Sequence, residues 1–166
     1  KLYGKGISQV KFHPTKSDLL AHTQENSLFL SSINKQTQEV CISSYLSDHF
    51  YSINCLSYNE TGSLVATGGN DGLINIYDIS SGPIRLFRNI TLQENESAVT
   101  CIDFNYTSHL MICGIYDKQI HVFDVRMNKP AFKIIAHSEP ITSLSFSDDG
   151  LNFISTSYDG FLRVWD

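Results

Sequence analysis

The feature that most limits what this chain can fold into is a self-similarity spaced by 42 to 46 residues. Its clearest copy closes the chain. AHSEPITSLSFSDDGLNFISTSYDGFLRVWD opens on a histidine and runs through an alternating strand, a DG turn, a second strand, a YDG turn and a third strand ending on Trp165 and Asp166. That pattern is one three-stranded antiparallel unit. A shift of 42 carries Ile141 onto Val99, Phe146 onto Phe104, Tyr158 and Asp159 onto Tyr116 and Asp117, and Trp165 and Asp166 onto Phe123 and Asp124. A further 46 carries Val99 onto Ile53, Cys101 onto Cys55, Phe104 onto Tyr58, Asp117 onto Asp71, and Phe123 and Asp124 onto Tyr77 and Asp78. Another 46 takes Ile53 to Ile7 and Tyr58 to Phe12, but Glu25 then stands at the turn aspartate, and Ser31 and Ser32 at the aromatic-Asp ending. The first copy is degenerate.

A period of this length built from strands alone is the signature of a propeller blade. With GH-like openings and WD-like endings, the chain resembles the WD-repeat (WD40) proteins over essentially its whole length. The last repeat, AHSEPITSLSF followed by STSYDGFLRVWD, is similar to the propeller subunit of histone H3 lysine-4 methyltransferase complexes. The expected fold is all-β, a WD40 β-propeller in repeats of approximately 1–46, 47–92, 93–134 and 135–166, the last without its outer strand. The resemblance implies a ring that usually has seven blades, so four make an arc, a partial propeller. Both end faces should expose core-like apolar surface, and the final strand should be an open edge. Remaining blades or a second chain are needed to close the ring, and two arcs in two-fold symmetry are an eight-bladed alternative.

Composition bounds the partners. The chain is 42% hydrophobic and 17% charged, as a folded domain is, and its net charge of -5 with no run of Lys or Arg disfavours direct contact with nucleic acid. Apolar stretches are only a few residues long and no leader stands at Lys1, so no membrane contact is expected. Cys41, Cys55, Cys101 and Cys113 form no CxxC pair and read as core filler in a reducing, intracellular compartment, nuclear or cytoplasmic. Sequons at Asn59, Asn89, Asn95 and Asn105 argue the other way and are set aside as chance triplets in a chain rich in Asn, Ser and Thr.

Apolar residues at Ile141, Leu144, Phe146, Phe153, Ile154, Val164 and Trp165 supply packing surface for neighbouring blades. The resemblance implies, in addition, a buried chain of His, Ser or Thr, Asp and Trp that pins the turn between the second and third strands. The last repeat matches it at His137, Ser155, Asp159 and Trp165. The second offers His49, Thr67, Asp71 and Tyr77, with a phenol in place of the indole donor. The third has Asn95, Cys113, Asp117 and Phe123, whose ring has no donor, so packing must hold its turn.

His137, Ser155 and Asp159 are also the residue types of a hydrolase triad. No GxSxG elbow is present and the serine lies inside a strand, so turn pinning explains them better. The six histidines show no HxH or HExxH spacing, and the glycine-rich stretch from Gly68 to Gly72 lacks the Lys and following helix of a phosphate loop. No metal, cofactor or catalytic residue is expected.

Residues just before the turn aspartate, Gln24, Asn70, Tyr116 and Tyr158, and those one after the first apolar residue of each inner strand, Ser8, Asn54, Thr100 and Thr142, should ring one mouth of the central channel. The repeats give their equivalence; the resemblance implies that this is the top face, where peptides bind. Tyr116 and Tyr158 suit interface anchors, bringing large area at low rotamer cost. The methyltransferase-complex relative is matched at Thr142 and Tyr158 but not at Thr100, where it has a Phe that stacks on a bound arginine and Thr cannot. FDVR, Phe123 to Arg126, resembles the ending through which substrate receptors of a cullin-type ubiquitin ligase dock their adaptor by Asp124 and Arg126; the alternative is a solvated charge after a strand. The expected function is a non-catalytic scaffold that holds a peptide within a chromatin-modifying or RNA-processing complex. A ubiquitin-ligase receptor is the alternative, and a hydrolase stands third.

Overall fold

The computed structural model describes residues 6–92 and 98–166. Within them the regular structure is entirely strand. Blade 1 comprises β1 (Ile7–Phe12), β2 (Leu19–Gln24), β3 (Ser27–Ile33) and β4 (Val40–Leu46). Blade 2 comprises β5 (Ile53–Tyr58), β6 (Leu64–Gly69), β7 (Leu73–Asp78) and β8 (Arg85–Thr91). Blade 3 comprises β9 (Val99–Phe104), β10 (Leu110–Ile115), β11 (Gln119–Asp124) and β12 (Phe132–Ile135). Blade 4 comprises β13 (Ile141–Phe146), β14 (Phe153–Ser157) and β15 (Leu162–Trp165). Each blade is an antiparallel meander with its strands in chain order, and the fourth has three strands where the others have four. This is a partial β-propeller.

Three apolar clusters fill the three blade interfaces. Ala21 and Leu28 meet Leu56, Val65 and Tyr77; Ile74 and Ile76 meet Met111, Cys113, Ile115 and Phe123; Ile112, Ile120 and Val122 meet Ile141 and Leu144. Because side chains alternate along a strand, Met111, Cys113 and Ile115 face blade 2 while Ile112 faces blade 4. Both faces of a middle blade are therefore apolar, which is why β10 reads as a continuous hydrophobic run. Cys55, Cys101 and Cys113 are buried in these interfaces, and burial pushes the Cys101 thiol up to about 11. Cys41 is exposed.

Blade spacing explains two glycines. A Cβ on Gly114 would stand 2.6 Å from Cys101 Sγ and 2.8 Å from Ile141 Cγ2, and Gly68 meets Val99 in the same way one interface earlier. The same position in blade 4 is Thr156, on a face that no further blade covers among the described residues.

The two ends of the arc are open. β1 is exposed along its whole length, with Phe12 61% accessible, and Val164 in β15 is 66% accessible. Among the described residues β15 pairs only with β14.

Candidate functional site

The turn between the second and third strands of blade 4 is held by a four-residue chain. Trp165 Nε1–H donates to Ser155 Oγ over 2.8 Å, Ser155 Oγ lies 2.7 Å from His137 Nε2, and His137 Nδ1 lies 2.9 Å from Asp159 Oδ2. An indole can only donate, so the Ser155 proton goes to His137 Nε2, and His137 Nδ1–H goes to the carboxylate. Asp159 also accepts the backbone N–H groups of Ser138 and Phe161. Burial raises the Asp159 pKa, but these hydrogen bonds and the one from His137 outweigh it and hold the carboxyl well below its usual range.

Blade 2 repeats most of this arrangement. His49 Nδ1 lies 3.0 Å from both Asp71 oxygens, His49 Nε2 lies 2.8 Å from Thr67 Oγ1, and Asp71 accepts the N–H groups of Phe50 and Leu73. Tyr77 is fully buried, and its hydroxyl interacts with Thr67 and Asn75 without forming a hydrogen bond of standard geometry. In blade 3, Asn95 lies outside the described residues. Asp117 is met by the backbone N–H and side-chain amide of Gln119, Cys113 Sγ contacts the His121 carbonyl, and Phe123 is fully buried.

Blade 1 departs from the pattern. Phe12 pairs with Leu20 eight positions on, where Tyr58 pairs with Val65 seven positions on. Thr23 pairs with Leu28 five positions on, where Gly68 pairs with Ile74 six positions on. One loop is thus longer by a residue and the next turn shorter. His22 consequently occupies the place of Thr67 and is buried, its ring stacked 5.1 Å from Phe29, which in turn stacks on Tyr45.

The same change corrects one position at the channel mouth. Gln24 pairs with Ile7 as Gly69 pairs with Ile53, so the equivalent of Asn70, Tyr116 and Tyr158 is Glu25.

Ser8, Asn54, Thr100 and Thr142 share a structural reason for their position. Each is the residue skipped by a β-bulge at the start of its inner strand: pairing jumps from Ile7 to Gln9, from Ile53 to Cys55, from Val99 to Cys101 and from Ile141 to Ser143. A bulged residue leaves the ladder and is re-aimed. Asn54, Thr100 and Thr142, with Tyr116, Tyr158, Pro140 and Ile141, line a cavity of about 260 Å³. Tyr116 and Tyr158 are 57% and 77% accessible. Their backbones are fixed by N–H bonds to the Ala98 and Pro140 carbonyls, as that of Asn70 is by the Ser52 carbonyl.

Asn70 stands beside this cavity, and Ser8 lies one blade further back. Asn54 Nδ2 donates to Asn70 Oδ1 over 2.7 Å and to the Val99 carbonyl over 3.0 Å, so one side chain links blade 2 to blade 3. Ser8 Oγ likewise donates to the Ile53 carbonyl over 2.8 Å, linking blade 1 to blade 2. Phe50, which the repeat pattern did not single out, is 81% accessible, and its N–H is bonded to Asp71, next to Asn70. Its only sequence signal is its place directly after His49.

At the far end of blade 3, Arg126 is exposed and held by its neighbour. Its Nε and Nη2 lie 2.9 and 2.6 Å from the two Asp124 oxygens, and this pairing drives the Asp124 carboxyl far below its usual range. Two sequons prove to be buried turns: Asn59 and Asn105 accept the N–H groups of Leu64 and Leu110. Among the described residues no group of three His, Cys, Asp or Glu is placed to hold a metal ion, and no helix is long and apolar enough to cross a membrane.

A β-propeller family model, described as the nucleolar protein 10-like N-terminal domain, matches residues 5–166. The matched stretch takes in all four blades and the degenerate first repeat with them. On that match, the chain belongs to the nucleolar protein 10-like N-terminal β-propeller domains.

Proposed function

We propose that this propeller is a non-catalytic scaffold that captures a peptide segment of a partner protein across the channel mouth, within an RNA-processing assembly of the nucleus. The observation that carries this reading is the cavity whose walls are Tyr116 and Tyr158, two exposed tyrosines held by fixed backbone over a floor of small polar residues. Such rings bring area, rigidity and a hydroxyl, the qualities of an interface anchor. The nucleolar description of the family supports an RNA-processing setting over a chromatin-modifying one. Kinship to a methyltransferase-complex subunit rests on the last repeat, with Thr142 and Tyr158 matched at the channel, and Thr100, which bonds the Gly114 carbonyl, offers no ring for an arginine to stack on.

Partner capture by the intact protein, read by affinity purification and cross-linking, tests the proposal. Tyr116→Ala with Tyr158→Ala should reduce capture by about tenfold or more while leaving the melting temperature unchanged. Capture that persists at full strength with both rings removed would overturn it. The ubiquitin-ligase reading rests on an Arg126 already occupied by Asp124. Under the scaffold reading, Arg126→Ala does not alter recovery of a ligase adaptor.

A further inference from the structure

The interface between blades 1 and 2 is not filled in the way the next one is. In blade 2 the outer-strand residue opposite Ile76 is Arg88, whose guanidinium crosses to Asn128 of blade 3. In blade 1 the residue opposite Leu30 is Ser44, and the repeat shift of 46 that takes Asn128 back one blade lands on Gly82. Both partners of the crossing contact have been replaced by small residues. The room they vacate is a cavity of about 250 Å³, whose walls include Leu30, Ile79, Ser31, Ser44, Gly82 and Lys16.

Two further observations give this cavity a chemical character. Ser31 is 1% accessible and its hydroxyl has no hydrogen-bond partner, a state that a buried polar group does not keep without cost. Lys16, an exposed residue, lines the cavity and forms no ion pair with any described residue, and no carboxylate is among the lining side chains. An apolar wall, an unsatisfied hydroxyl and an unmatched ammonium complement a ligand with an aliphatic stem and an anionic end.

We propose that the cavity between blades 1 and 2 is a docking site for an acidic side chain of a partner peptide, its methylenes against Leu30 and Ile79 and its carboxylate on Lys16. The site is separate from the channel mouth, so the two readings fail independently.

Fluorescence anisotropy of the intact protein with a short labelled peptide of alternating Leu and Glu, against its Leu/Gln counterpart, tests this. The acidic peptide should bind about tenfold more tightly than the amide version, and Lys16→Ala should remove that difference. A filled variant, Ser44→Arg with Gly82→Asn, copies the Arg88 contact into this interface. Space is open at Gly82, where an added Cβ meets nothing within 4 Å, and its φ of +87° is one that Asn tolerates better than most residues. This variant should melt no lower than the parent and lose the acidic peptide, while Tyr116→Ala with Tyr158→Ala should bind it as the parent does. Equal binding of the acidic and amide peptides would overturn the proposal, as would acidic-peptide binding that survives both Lys16→Ala and the filled cavity. No binding of either peptide would overturn it too.

Discussion

His137 Nε2 and Ser155 Oγ stand 2.7 Å apart, the spacing of a nucleophile and its base, yet Ser155 is wholly buried and its oxygen already accepts the Trp165 indole proton. No substrate carbonyl reaches such a hydroxyl. The same three side chains that would perform acyl transfer at a surface act here to hold a turn.

The indole proton is the link to test first. Trp165→Phe removes the donor to Ser155 and should cost about 1 to 2 kcal/mol in urea unfolding. Tyr77→Phe, at the equivalent place in blade 2, removes a buried hydroxyl that makes no standard hydrogen bond, and should change stability by less than about 0.5 kcal/mol. Equal costs for the two substitutions would mean that the indole proton contributes no more than the Tyr77 hydroxyl does.

Acid should loosen both pinned turns. In Asp71, as in Asp159, burial raises the pKa but is outweighed by hydrogen bonds from the histidine and from backbone N–H groups, and the folded value lies below the ordinary 3.8. A carboxyl depressed in the folded state contributes stability that is fully present above its unfolded value and is lost as pH falls through the folded one. The melting temperature should therefore drop as pH falls below about 4, and Asp71→Asn with Asp159→Asn should flatten that slope. Asp103 runs the opposite way. Burial raises it despite the bonds it accepts from the Phe146 N–H and Ser57 Oγ, so its contribution is present in acid and is lost as pH rises through its folded value.

Lys118 occupies the turn position that Gly72 and Gly160 fill in blades 2 and 4, and takes a φ of +78° to do so. A side chain there is strained by about 1 kcal/mol, partly offset by the chain entropy a glycine brings. Its ion pair with Glu139, 3.7 Å long between half-exposed groups, adds little. Lys118→Gly should raise stability by about 0.5 kcal/mol in equilibrium unfolding; a loss would show that the ion pair outweighs the strain.

The exposed end faces should make the 166-residue chain self-associate. Light scattering of the parent should show oligomers, and Leu162→Lys with Val164→Lys, on two exposed residues of β15, should shift the mass toward monomer. A monodisperse monomer without substitutions would show that these faces are not adhesive.

Much of this architecture was legible in one dimension because a repeat carries its own alignment. The positions of Asn54, Thr100 and Thr142 followed from their place after the first apolar residue, and the bulge gives the physical basis of that rule. His137, Ser155, Asp159 and Trp165 were readable through the resemblance to the WD-repeat proteins, which implies a buried chain of those residue types. Phe50 was not, since nothing in its neighbours signals which way a connecting loop exposes its side chains.

What the sequence determined by itself was the period, the strands and the residues that recur in register, all of them local patterns that survive in any copy of the unit. Tertiary structure alone decided the first blade. An extra residue before β2 and a missing one in the turn after it cancel in the count, so a single shift of 46 places Ile7 and Leu28 correctly and hides the displaced register between them. Glu25 rather than Gln24 at the rim, His22 in a ring stack and the cavity beside Ser31 follow from which strands pair and which sheets face each other, and pairing is a property of the folded chain.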